Sequence, residues 1–179
     1  AFLGFEALDI TEIKGADSLY EADGIIAESE SNASRLFGSG ATFFSTEGSS
    51  QCVRAMLYLA VTISTKRLIL AARNVHKSFV YAAGLIGFDV EWLGSEGSDS
   101  LCGCEVSAET VAERLDSMVV LPAAVYVTSP NYLGAMLDVK EIAEVCHQRG
   151  VLLIVDNAHG AYLRFLPESL HPLDLGADI

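Results

Sequence analysis

The strongest constraint on how this chain can fold is the regular alternation of short, β-rich apolar runs with longer stretches of helical periodicity. Residues 41–45, 67–71, 89–93, 123–128 and 151–155 read as strands, and residues 22–36, 49–62, 77–86, 108–118 and 139–149 read as helices. Two of these helices carry one apolar stripe each: Val111, Leu115 and Met118 in one, and Val139, Ile142, Ala143 and Cys146 in the other. Around the latter, Asp138 is set to cap the start, Glu141 stands at capping-box spacing, and Gly150 is placed to end the helix. Parallel neighbours cannot be joined by a tight hairpin and need a crossover, which an intervening helix supplies. The pattern therefore predicts an α/β fold, a mainly parallel sheet with helices on both faces.

The composition fits that prediction and narrows the partners. Of 179 residues, 51% are hydrophobic, enough for one buried core and too many for a disordered segment. The formal net charge is −13 and no Lys/Arg cluster is present, which excludes nucleic acid and anionic membrane surfaces as partners. The longest apolar run, residues 55–63, falls short of the roughly 20 residues a bilayer span requires. Four cysteines are too sparse for a disulfide scaffold, and the early Glu6 and Asp9 do not resemble a secretory leader, so a cytoplasmic location is expected. Cys102-Gly103-Cys104 has no second Cys/His pair at zinc spacing; it reads as part of a Gly/Ser-rich surface loop from Gly94, and no metal is expected. The chain starts at Ala1 without Met and stops after Gly176-Ala177-Asp178-Ile179, which looks like the lead into another strand. A single, incomplete domain over residues 1–179, cut from a longer α/β protein, is the expectation.

In an open α/β sheet, ligands sit beyond the carboxyl ends of the strands, and four groups of residues occupy such places. Gly48-Ser49-Ser50, at a helix start, offers backbone N–H groups, hydroxyls and the positive end of a helix dipole to a phosphate; the same residues also read as an ordinary serine cap. It is not a Walker loop, for no Gly-Lys-Ser/Thr follows. His76, in Arg73-Asn74-Val75-His76-Lys77-Ser78, can stack on a flat ligand or exchange protons, or can simply lie on a surface loop. Thr128-Ser129-Pro130-Asn131-Tyr132-Leu133-Gly134 supplies an amide, a ring and hydroxyls, or is turn chemistry alone. Asp156, at the end of an apolar strand, is costly to bury unless something cationic faces it, although it can also cap the turn that follows.

Together, a phosphate cradle, a stacking histidine, a polar loop and an acidic partner for a ring nitrogen are what pyridoxal phosphate needs. These strings, with Asp9-Ile10-Thr11-Glu12-Ile13, Gly15, Asp17 and Leu175-Gly176-Ala177-Asp178, resemble in order and spacing the bacterial ornithine/lysine/arginine decarboxylases, pyridoxal-phosphate enzymes of the aspartate aminotransferase fold. The resemblance implies that Gly48, Ser49 and Ser50 hold the cofactor phosphate and that His76 and Ala158 pack on the two faces of its ring. It further implies that Asp156 pairs with the protonated ring nitrogen, that Thr128 belongs to the cofactor-binding set, and that His159 shares the catalytic pocket with His76 and Asp156. Asn157 stands where the family often has Glu, and Tyr20 where a His is common.

The family anchors its cofactor through a lysine in a Ser/Thr-x-His-Lys string after the Gly-Ala-Asp turn; that string is absent from these residues, and Lys77 precedes Asp156 and matches a different motif. The resemblance therefore implies a fragment of the large domain that lacks the lysine strand and the C-terminal small domain and holds pyridoxal phosphate weakly or not at all. The intact enzyme would decarboxylate a small basic amino acid and form a homo-oligomer. Alternatives are another reaction on the same fold, such as transamination or β-elimination, and a non-catalytic remnant.

Overall fold

Four of the five expected strands form: β1 (Leu68–Ala71), β2 (Asp89–Trp92), β3 (Ala124–Thr128) and β4 (Leu152–Asp156). The computed structural model describes residue 4, residue 13, residues 15–94 and residues 104–179, and the chain divides into two units, Ala1–Thr46 and Glu47–Ile179. The sheet belongs to the second unit. Its order is β2-β1-β3-β4, and every pairing is parallel. From β1 the chain moves outward to β2, returns across β1 to β3, and then continues to β4 on the far side, so the order reverses between β1 and β3. Such a reversal leaves a crevice at the carboxyl ends of the two central strands.

Successive strand residues point to opposite faces. Leu70, Val125, Val127, Leu153 and Val155 pack with Val111 and Leu115 of α4 (Ala108–Ser117) and with Ile142 and Cys146 of α5 (Val139–Gln148). On the other face, Ile69, Ala71, Ala124, Tyr126 and Ile154 meet Val53 and Leu57 of α2 (Ser49–Ile63) and Phe79 and Ala82 of α3 (Lys77–Ile86). Both faces are therefore covered, and strands covered on both faces read as nearly continuous apolar runs. Phe79 anchors the second layer, its ring centroid 4.7 Å from that of Tyr126 and 6.0 Å from that of Phe88. Burying a side chain of that size contributes about 3 kcal/mol on transfer grounds.

Local signals decide the helix ends. Asp138 accepts from the Glu141 N–H at 3.1 Å and caps α5, and Gly150 (φ 64°) turns the chain out of it while the Val151 N–H closes on the Cys146 carbonyl at 3.0 Å. Burial first, and then the charge of Asp178, pushes the Cys146 thiol up to about 12, so it stays a neutral core residue. Among the described residues no group of three or more His, Cys, Asp or Glu is disposed to hold a metal ion, and Cys102, Gly103 and most of the expected Gly/Ser-rich loop lie outside those residues.

The strand expected at residues 41–45 does not form. Thr42, Phe43 and Phe44 have the β-rich composition, but the segment pairs with no strand among the described residues, and the Phe44 N–H is taken by the Glu30 carboxylate at 2.8 Å. Strand propensity without a ladder partner does not make a strand.

In the first unit, α1 (Ile25–Phe37) starts at Gly24, which has no side chain to cap it. Asp17 does so instead: one carboxylate oxygen accepts from Gly24 and Ile26 at 3.0 and 2.7 Å, the other from Ser18 and Asp23 at 2.9 and 3.0 Å. Desolvation pushes this carboxyl up, but the four N–H donors outweigh it and hold it at about 2. Because the folded value lies below the ordinary one, the contribution is complete above about pH 4 and is lost as pH falls toward 2. Amide exchange at Gly24 and Ile26 should accelerate over that range, relative to unstructured reference peptides, and Asp17→Asn should remove the dependence; pH-independent protection in the parent chain would contradict it.

Candidate active site

The crevice between β1 and β3 opens into a cleft of about 540 Å³ whose lining includes Ser49, His76, Thr128, Asp156, Ala158 and His159. These residues are scattered through the sequence and meet because each follows a strand, or starts a helix, at the same edge of the sheet. Gly48 and Ser50 flank Ser49 without lining the cleft, whereas Arg73, Lys77 and Tyr132 join the wall.

Asp156 forms the floor. It is 6% exposed, its Oδ2 accepts from the Tyr126 hydroxyl at 3.1 Å, and its Oδ1 accepts from the Ala158 N–H at 3.3 Å. No Lys, Arg or His among the described residues forms an ion pair with it. A nearly buried carboxylate without a cation is expensive, and the geometry leaves it facing the cleft. Thr128 is its register partner across the β3–β4 ladder, and the Thr128 Oγ1 is buried without a hydrogen-bond partner. A hydroxyl left unpaired at the bottom of a cleft is a group that a ligand can satisfy.

At the start of α2 the serines are not the cap. Gly48 holds that position at φ 68°, in the left-handed region that favours glycine, and no side chain caps the helix; Ser49 is already helical. The serine-cap reading of this string therefore fails. His76 does cap its helix: its Nδ1 accepts from the Ser78 N–H at 3.3 Å and lies 2.8 Å from the Ser78 hydroxyl. An acceptor Nδ1 leaves the proton of the neutral ring on Nε2. The loop after β3 is largely self-supporting, for Asn131 Oδ1 accepts from Leu133 and Ala135 at 2.9 and 3.0 Å and so is committed to its own turn. Tyr132 stands edge-on to His159, with ring centroids 6.3 Å apart.

Sequence reasoning missed Tyr126, which it read only as one residue of a strand. The available signal was its hydroxyl: a tyrosine among aliphatic residues of a doubly covered strand needs a polar partner.

A family model described as the major domain of Orn/Lys/Arg decarboxylases matches residues 2–178. An arginine decarboxylase of Halalkalibacterium halodurans is 35% identical over 188 residues, covering 100% of this chain and 37% of that protein. Lysine decarboxylase A from Pseudomonas aeruginosa superposes with a TM-score of 0.72 at 23% identity, over 93% of this chain and 23% of that one. A TDC from Oryza sativa, solved with PLP (pyridoxal 5'-phosphate), superposes with a TM-score of 0.62 at 17% identity, over 83% of this chain and 38% of that one. The chain thus spans well under half the length of these proteins.

Proposed function

Since the chain belongs to the Orn/Lys/Arg decarboxylase family, we propose that it forms the pyridoxal-phosphate-binding part of an enzyme that decarboxylates arginine, lysine or ornithine. The observation that carries this reading is Asp156: a nearly buried carboxylate, held by two donors, without a cationic partner among the described residues, at the floor of a cleft. A protonated ring nitrogen is the missing counterion. The orphaned Thr128 hydroxyl and the α2 start without a side-chain cap fit the same ligand, one as a polar partner and the other as a phosphate site.

When bound, the cofactor supplies an electron sink for the pair left behind as the substrate's Cα–carboxylate bond breaks. The chain's own residues then have separate tasks. Gly48, Ser49 and Ser50 bind the phosphate with backbone N–H groups and hydroxyls. His76, its Nδ1 tied to Ser78, and Ala158 confine the ring on its two faces. Asp156 holds the proton at the ring nitrogen, and Thr128 donates to a ring substituent. His159 adds a second imidazole to the cleft wall, able to hold or move a proton near the substrate.

Exposed apolar side chains on α2 (Tyr58, Leu59, Ile63) and α3 (Val80, Tyr81, Leu85) support a homo-oligomer. No helix among the described residues is long and apolar enough to cross a membrane. The free thiols of Cys52, Cys104 and Cys146 fit a reducing, cytoplasmic setting. The test is carbon dioxide release by the protein at its full length, supplied with pyridoxal phosphate and, separately, arginine, lysine and ornithine. One of the three should be consumed at an ordinary enzymatic rate with the matching amine as product. Formation of a keto acid or of ammonia, with no amine from any of them, would overturn the assignment in favour of another reaction on this fold.

A further inference from the structure

The Tyr126 hydroxyl donates directly to Asp156, and no role above absorbs it. Tyr126 is fully buried on β3, on the face packed against α2 and α3, and its ring lies against Phe79, three residues along the chain from His76. Its hydroxyl reaches the Asp156 Oδ2 at 3.1 Å from the adjacent strand. The ladder fixes that approach: Tyr126 pairs with Ile154 and Thr128 with Asp156, so the phenol lies beneath the carboxylate rather than in the cleft.

We infer that Tyr126 is a positioning residue that orients the Asp156 carboxylate and keeps the shared proton on the ligand's ring nitrogen. This rests on the cofactor reading of the cleft. The ring nitrogen and the carboxylate compete for one proton, and a donor to the carboxylate stabilises its ionised form, which shifts the proton toward the ring. The Ala158 N–H helps on the other oxygen, but at 3.3 Å it is the longer bond, so Tyr126 is the main donor. Burial, and then the charge and hydrogen bond of Asp156, push the phenol well above its ordinary range, so it remains a donor throughout.

The experiment binds ring-15N pyridoxal phosphate to the full-length protein and to its Tyr126→Phe variant, and reads the nitrogen's NMR signal and the cofactor Kd. Tyr126→Phe keeps the ring against Phe79 and removes only the donor. The signal should move toward the unprotonated position and Kd should rise about three- to tenfold, a fraction of the worth of one hydrogen bond to a charged group, because the Tyr126–Asp156 bond is present before the ligand binds. An unmoved signal would overturn the inference. Asp156→Asn separates the two layers: if its signal moves while that of Tyr126→Phe does not, only the Tyr126 inference fails; if neither moves, the cofactor reading fails as well. Should the phenylalanine variant not fold, 3-fluorotyrosine at position 126 retains ring and donor; its 19F signal should shift when pyridoxal phosphate is added, and an unmoved signal would again overturn the inference.

Discussion

Asp156→Asn should lower decarboxylation in the full-length protein by about a thousandfold, on the order of 4 kcal/mol of transition-state stabilisation. The amide has the shape of the carboxylate and can still accept from Tyr126, but it has no charge with which to keep a ring nitrogen protonated. The loss should appear in kcat more than in KM, because the charge matters most as electrons move into the ring. Stability should behave oppositely. Asp156 is 6% exposed and has no cationic partner among the described residues, so removing its charge from the cofactor-free protein should leave the unfolding temperature unchanged or raise it. Steady-state carbon dioxide release and thermal unfolding together decide the matter. Wild-type turnover would remove Asp156 from the mechanism, and a clearly lowered unfolding temperature would contradict the stability expectation.

Gly160→Ala should be the most damaging small substitution near the cleft. The backbone at Gly160, φ −123° and ψ 13°, would accept alanine, so the problem is space. A Cβ there would stand 1.9 Å from Asn157 Oδ1, 2.6 Å from Pro130 Cδ and 2.9 Å from Leu163 Cδ1. Leu163 can turn aside and the Asn157 amide can rotate, but the Pro130 ring cannot, so the two loops must separate. Overpacking of this kind costs about 2–3 kcal/mol, or roughly 5–10 °C of unfolding temperature in a chain of this size. The strain falls between the loops after β3 and β4, so cofactor affinity should drop as well. A melting temperature within about 2 °C of the parent would show that the loops move apart at little cost.

Periodicity carried the fold because parallel strands covered on both faces leave an unmistakable apolar signature; the four strands of the sheet and the helices between them fall where the pattern placed them. It failed at residues 41–45, where composition mimics a strand but pairing, a property of the whole fold, is absent. The site was legible as positions: Ser49, His76, Thr128, Asp156, Ala158 and His159 share a cleft because a parallel sheet gathers its carboxyl ends on one edge. What held those positions was not legible. That Gly48 rather than a serine starts α2, that Ser78 fixes the His76 ring, and that Tyr126 lies beneath Asp156 all depend on backbone angles and strand register, which residue types alone do not specify.

The register that sets Thr128 opposite Asp156 also bears on the thermodynamics of binding. Both stand in a ladder of five consecutive pairs rather than on a loop, so the distance between their side chains is fixed before any ligand arrives. Little conformational entropy remains to be lost there on association, and what ordering binding does require falls on the helix starts and turns around them. An affinity preorganised in this way should be dominated by a slow off-rate, and weakening the β3–β4 ladder anywhere along its length should shorten the ligand's residence before it changes how fast the ligand arrives.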